Sequence, residues 1–184
     1  MGRRSDGYHD IETIFHRVDI SDHLAVQPSS SLTLECDAPD IPAEGNLVML
    51  AARSLRERFN VSAGAKITLT KRIPHGAGLG GGSADAAAAL QLLVRLWELS
   101  PPPPALEEVA LGVGSDVPYF LGEGSAHARS RGEKLTRFHL TLPYFILVVA
   151  PRIHVSTADA YASVVPGDHT GSDDLRTLLV RHIG

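Results

Sequence analysis

The sequence predicts an α+β protein, and three observations lead there. Stretches 22–27, 32–36 and 66–71 alternate apolar and polar residues, as half-buried strands do. Stretches 46–59 and 83–99 repeat apolar side chains at helical spacing. The strands come first and the helices cluster later, in the order strands, helix, strand, helix, helix, strand, helix, helix, with no internal repeat.

Composition sets the outer limits. The chain has 184 residues, 43% of them hydrophobic and 21% charged, which is enough apolar matter for a core and excludes a largely disordered chain. The formal charge of −4 does not advertise binding to nucleic acid or to an anionic membrane. A single cysteine, Cys36, excludes an intrachain disulfide and a multi-cysteine metal site, and it reads as a small buried hydrophobe. The longest apolar run, Tyr144 to Pro151, is too short to span a bilayer, and the N-terminal MGRRSDGYHD has no apolar segment of a secretory signal. A cytoplasmic protein with a small-molecule partner, and neither nucleic acid nor membrane, is the expectation.

Within Asp6 to Val26 the apolar spacing is mixed, and only Asp22 to Gln27 alternates cleanly. Pro28-Ser29-Ser30-Ser31 reads as a turn, and Leu32 to Cys36 as a second strand, so a β-hairpin or meander is expected here. Asn46 is a candidate N-cap for a helix whose face carries Val48, Ala51, Ala52, Leu55 and Phe59. Lys66 to Lys71 alternates again. A helix over 83–99 puts Ala86, Leu90, Leu93, Val94 and Trp97 on one face and stops at Ser100 and the prolines 101–104, which read as a loop between helices. Ala105 to Leu111 is a short helix, and Gly112 to Pro118 a loop. Phe145 to Ala150 is continuously apolar and reads as a central strand covered on both faces. Helices are expected over Thr157 to Val165 and after Ser172-Asp173-Asp174.

The chemistry concentrates in PHGAGLGGGSADAA, residues 74 to 87. Glycines let a backbone take positive φ and approach a ligand closely, so the loop can turn several N–H groups toward one point. The following helix adds the positive end of its dipole, and the combination suits phosphate. Ser83 either caps that helix or touches the phosphate or its metal. A Walker A loop fails, because counting from Gly76 its lysine position is Gly82. Gly76-Ala77-Gly78-Leu79-Gly80-Gly81 does spell GxGxxG, so a dinucleotide-binding oxidoreductase is the rival. That reading needs an acidic residue about 20 positions on, at the end of a second strand. Glu98 has the distance but falls in the expected helix.

The pattern P-x-x-x-G-L-G-G-G-S-x-x-A-A from Pro74 to Ala87 resembles the phosphate loop of the GHMP small-molecule kinases. Gly2 to His9 (GRRSDGYH), Thr13-Ile14-Phe15, Gly114 to Phe120 (GSDVPYF) and Val155-Ser156-Thr157 follow in the family's order. They are similar to the members that use ATP to phosphorylate the 2-hydroxyl of a cytidine-diphosphate sugar alcohol in the non-mevalonate route to isoprenoids. The resemblance implies a GHMP-kinase N-terminal domain (ribosomal protein S5 domain 2-like) over residues 1–140, lacking its first strand. Over 141–184 it implies the start of a ferredoxin-like C-terminal domain.

It also implies roles. Asp116 matches the catalytic aspartate; by itself it reads as a turn-forming Asp before Val-Pro. Pro74, His75, Gly76, Ala77, Gly78, Leu79, Gly80, Gly81, Gly82, Ser83 and Ala84 match the ATP cradle. Asn46 and Lys71 match the adenine pocket, although Lys71 and Arg72 read equally as strand-end charges. Tyr8 and His9 match residues that hold the cytidine by stacking and hydrogen bonding. Phe15 is a candidate for that pocket or for the core; Thr157 and Tyr161 match positions near the methylerythritol diphosphate and the cytosine. Mg²⁺ is expected to arrive with ATP, bridging its phosphates. The family's pattern opens with a Pro-Ala-Lys-Ile-Asn-Leu strand and closes with a second glycine motif, so the resemblance implies truncation at both ends. A nucleotide-binding remnant without catalysis is therefore a further alternative.

Overall fold

A computed structural model describes residues 10–151 and Leu175. The chain divides into two compact units, one over Asp19–Gly122 and one formed by Met1–Val18 with Glu123–Gly184.

The 19–122 unit is a three-stranded sheet backed by helices. Its strands are β2 (His23–Ser29), β3 (Leu32–Cys36) and β4 (Gly64–Thr70), in the order β2-β4-β3. Strand β4 is the central and most buried of the three. Ala65, Ile67 and Leu69 alternate onto one face and are fully or almost fully buried. Val26 and Leu34 flank Ile67, and Leu24 and Cys36 flank Leu69, so apolar rungs cross all three strands. The expected hairpin between β2 and β3 does not form. Strand β2 runs antiparallel to β4 and β3 parallel to it, so β4 separates the two. The segment 28–31 is not a simple turn either, since Pro28 and Ser29 pair with Ala65 and Gly64 as part of β2. Helix α1 (Leu47–Arg58) is the crossover that brings β4 back beside β3.

Four helices follow the pattern of their apolar residues. Asn46 caps α1, its side chain accepting the Val48 N–H at 2.9 Å, as the sequence suggested. Val48, Ala51, Ala52 and Leu55 are buried against α2 (Gly81–Leu96) and the sheet. Helix α2 begins two residues earlier and ends three residues earlier than 83–99. Glu98 takes φ 52, with Glu98 N–H bonded to Arg95 O and Leu99 N–H to Val94 O, which closes the helix as a Schellman motif before the prolines are reached. The proline run is only partly a loop, since Pro103 and Pro104 form the first turn of α3 (Pro103–Val113), where the missing N–H costs nothing. Helix α3 also takes in Gly112 and Val113, and a short α4 (Val117–Leu121) follows.

The other unit holds a second sheet of β1 (Ile11–Phe15), β5 (Ser125–Ser130) and β6 (Lys134–Phe138), antiparallel in the order β1-β5-β6. Ser125, Ala126, His127 and Ala128 are buried on β5. His127 Nε2 meets Glu12 Oε1 at 2.8 Å, and His16 Nδ1 meets Ser125 Oγ at 2.7 Å. The central strand expected over Phe145 to Ala150 is absent: the segment pairs with no strand among the described residues, and Phe145, Leu147 and Val149 are largely exposed. An apolar strand needs a neighbour on its edge and a layer on each face, and the described residues supply neither. The helices expected after residue 156 lie outside the described residues, apart from Leu175.

Candidate active site

The site is built at the N-terminus of α2. Gly76, Gly78 and Gly80 take φ of +69, +72 and +70, while the residues between them keep negative φ. Such alternation is the backbone pattern of an anion-binding nest. The crest of the loop, His75 to Gly78, is open to solvent. Gly80 is the N-cap of α2 and contributes no side-chain hydrogen bond. The first intrahelical bond runs from Ala84 N–H to Gly80 O at 2.9 Å, so the amides of Gly81, Gly82 and Ser83 precede the internal ladder and face the loop. Ser83 thus lies in the first turn rather than at the cap. Of its two candidate roles the capping one is removed, because Gly80 holds the cap position.

Two elements wall this helix end. A Cβ placed on Gly80 would meet the Phe120 ring at 3.2 Å, so α4 lays an aromatic side chain directly over the cap. Gln91 Nε2 donates to Leu121 O at 3.0 Å and holds α4 along α2. Asp116 stands one turn before Phe120 on the same side of α4. Its carboxyl makes no capping hydrogen bond, and burial alone pushes it above the usual carboxylate range. On the other flank, a Cβ on Gly82 would lie 3.5 Å from Leu47, the residue after Asn46. The glycine loop, Asn46, Lys71 and the α4 carrier of Asp116 therefore converge on one helix end.

Two residues here escaped the sequence reading, Asp22 and Asp85. Lys71 Nζ is paired with Asp22 and lies 2.7 Å from Asp85, and all three side chains are at most 10% exposed. Asp22 Oδ1 accepts the N–H groups of Arg72 and of Ile73, the latter at 2.8 Å. Desolvation raises the Asp22 carboxyl, but the Arg72, Lys71 and Ile73 hydrogen bonds outweigh it and hold the group below its ordinary value. Asp85 goes the other way. Burial dominates, the Asp22 charge adds to it, Lys71 only partly offsets both, and the carboxyl is pushed up to about 6. Burial lowers Lys71 less than its two carboxylate partners raise it, so it stays charged. The available signal was an Asp inside the alanine run of α2, because a buried acid on an apolar face calls for a cation.

Of the other candidates, Phe15 lies in β1, in the other unit and partly buried. Tyr8, His9, Thr157 and Tyr161 lie outside the described residues. Glu98, the acid required by the dinucleotide reading, ends a helix rather than a strand. Among the described residues no three His, Cys, Asp or Glu converge as a metal cage, and no helix is long and apolar enough to cross a membrane.

A mixed α+β unit in which a glycine-rich loop opens a helix, beside a half-buried aspartate, is the arrangement of a GHMP kinase N-terminal domain. The GHMP kinases N terminal domain family matches residues 46–124, the stretch that holds α1, the loop and Asp116. The chain belongs to the GHMP kinases. Within them it is 42% identical over 187 residues to the 4-diphosphocytidyl-2-C-methyl-D-erythritol kinase of Salinibacter ruber, covering 98% of the chain and 66% of that relative. It is 44% identical over 180 residues to the enzyme of the same name from Chlorobium phaeobacteroides, covering 97% and 63%. The crystal structure of a 4-(cytidine 5'-diphospho)-2C-methyl-D-erythritol kinase superposes with a TM-score of 0.75 at 36% identity, over 98% of this chain and 66% of that one. A homoserine kinase from Cytophaga hutchinsonii shares the fold, with a TM-score of 0.59 at 22% identity over 81% and 53%. The chain spans a little under two thirds of the curated relatives it matches.

Proposed function

We propose that this protein transfers the γ-phosphoryl group of ATP to the 2-hydroxyl of 4-diphosphocytidyl-2-C-methyl-D-erythritol, in the non-mevalonate route to isoprenoid precursors. One observation carries the reading: the glycine loop, with the backbone pattern of a nest, shares its helix end with α4, at whose start stands the half-buried Asp116 carboxyl. Phosphoryl transfer asks for charge stabilisation and for an aligned acceptor. The nest amides and the α2 dipole supply the first. Asp116 supplies the second by accepting the hydrogen bond, and then the proton, of the attacking hydroxyl. As the new O–P bond forms, the bond from the γ-phosphorus to the bridging oxygen breaks and ADP leaves.

The identity of the acceptor comes from the relatives' name. Tyr8, His9, Phe15, Thr157 and Tyr161 are assigned to it by resemblance, and Asn46 and Lys71 to the adenine. Mg²⁺ arriving with ATP would neutralise charge on the phosphates, and Ser83 Oγ, free of a capping role, is a side chain among the described residues that would suit it. A soluble small-molecule substrate fits a cytoplasmic enzyme.

The test is ADP release from ATP·Mg²⁺ with and without the cytidyl substrate, with the product followed by ³¹P NMR. Substrate-dependent turnover is expected, and Asp116→Ala should lower kcat by about a thousandfold while nucleotide affinity holds within about threefold. Nucleotide binding with no turnover in the wild type would return the reading to a non-catalytic binder.

A further inference from the structure

The ion cluster beneath the loop has no part in the transfer step, yet it touches both ends of the glycine segment. Asp22 holds the amides of Arg72 and Ile73, the last two residues before Pro74. Asp85 sits in the second turn of α2, on the far side of the loop. Lys71 Nζ bonds both carboxylates, and the Lys71 N–H itself donates to Asp37 Oδ1 at 2.8 Å. The entry and exit of the loop are also in contact directly, since a Cβ on Gly81 would strike Ile73 Cγ2 at 2.9 Å and come within 3.5 Å of Lys71 Nζ.

We propose that Asp22, Lys71 and Asp85 form a positioning tie that fixes the two ends of the glycine loop, and so sets the affinity of the nest for nucleotide phosphate. The inference rests on the kinase reading and deepens it, because Lys71 then acts through the loop rather than as a ligand of adenine. A loop with three αL glycines has many open conformations, and a nest binds an anion only when its amides already converge. A covalent crosslink would hold the ends; here one ammonium shared by two buried carboxylates does so. Desolvation makes that arrangement costly by itself, so a large net gain in stability is not what it offers.

The experiment compares ADP·Mg²⁺ affinity, by calorimetry, in the wild type, Asp85→Asn, and the double variant Lys71→Met with Asp85→Asn. The single variant keeps an oxygen that accepts from the ammonium. The double variant cuts the tie and removes the shared cation together with one of its carboxylates. Affinity within about threefold of wild type is expected for the single variant, and a loss of about tenfold or more for the double. A double variant that binds like the wild type, or a single variant that loses as much as the double, overturns the tie. A second measurement needs no mutation. Binding that draws on the tie must strengthen it in return, so saturating ADP·Mg²⁺ should slow amide exchange at Arg72 and Ile73 by about threefold or more. Unchanged exchange in protein that binds ADP also overturns the tie. A wild type that binds neither ATP nor ADP overturns the kinase reading, and this inference with it.

Discussion

At Asp85 two demands conflict: a carboxylate pairs with Lys71, but it does so in a stretch of helix where Ala86, Ala87 and Ala89 are buried as well. Its pKa of about 6 in the fold, against 3.8 in an open chain, means that the native state binds the proton more tightly. Stability from this group is therefore greatest below about pH 4 and declines as pH rises through 6. Asp22, with its value lowered, titrates below the ordinary carboxylate range, and Asp116, raised by burial, is common to wild type and variant, so their difference between pH 4.5 and 7.5 reports Asp85. Asp85→Asn, a fixed neutral mimic, is expected to be better tolerated at pH 7.5 than at 4.5. The difference in unfolding free energy relative to wild type should be on the order of 1–3 kcal/mol, read from urea midpoints. Identical differences at the two pH values would contradict the assignment.

At the scale of elements, glycine and its absence mark two helix ends. Gly80 combines φ +70 with Phe120 at 3.2 Å from an added Cβ. Gly80→Ala should cost about 1–2 kcal/mol of stability from the left-handed backbone alone, and should weaken ADP binding because the ring must shift off the cap. Thermal melts and calorimetry check both. Glu98 holds φ 52 at the other end of α2, where glycine is the usual residue. Glu98→Gly should therefore stabilise the protein by about 0.5–1 kcal/mol in a urea titration. The helices were legible in advance because their signals are local: the Asn46 cap, the Val48-Ala51-Ala52-Leu55 stripe and the alanine face of α2. The strands were less so. Strand β1, IETIF, does not alternate. The β5–β6 hairpin, whose connection holds Ser130 at φ 66 and Gly132 at φ 107, buries Ala126 and Ala128, too small to announce an apolar face. The pairing of β2 with β4 rather than β3 was hidden because it depends on where α1 returns the chain.

At the scale of the whole molecule, Phe145, Leu147 and Val149 leave apolar area in water at 102%, 87% and 77% exposure. Phe145→Ser with Leu147→Ser should leave the melting temperature within about 2 °C and reduce binding of a hydrophobic dye, because side chains that pack on little among the described residues add little to stability. A melting temperature lowered by more than about 5 °C would mean the segment is packed in solution. The same segment shows the limit of reading by composition, since six apolar residues in a row carry no information on what covers them.

By itself the sequence determined the glycine loop, the helix it opens, the Asn46 cap and the family, because each is written in neighbouring residues whose chemistry acts over one or two turns. Tertiary structure decided the strand order, the removal of Ser83 from its capping role, the half-burial of Asp116 one turn from Phe120, and the meeting of Asp22, Lys71 and Asp85. Those facts join residues up to 63 positions apart in the chain. Desolvation and charge pairing act through space, and a linear pattern does not specify which distant groups share a dry site.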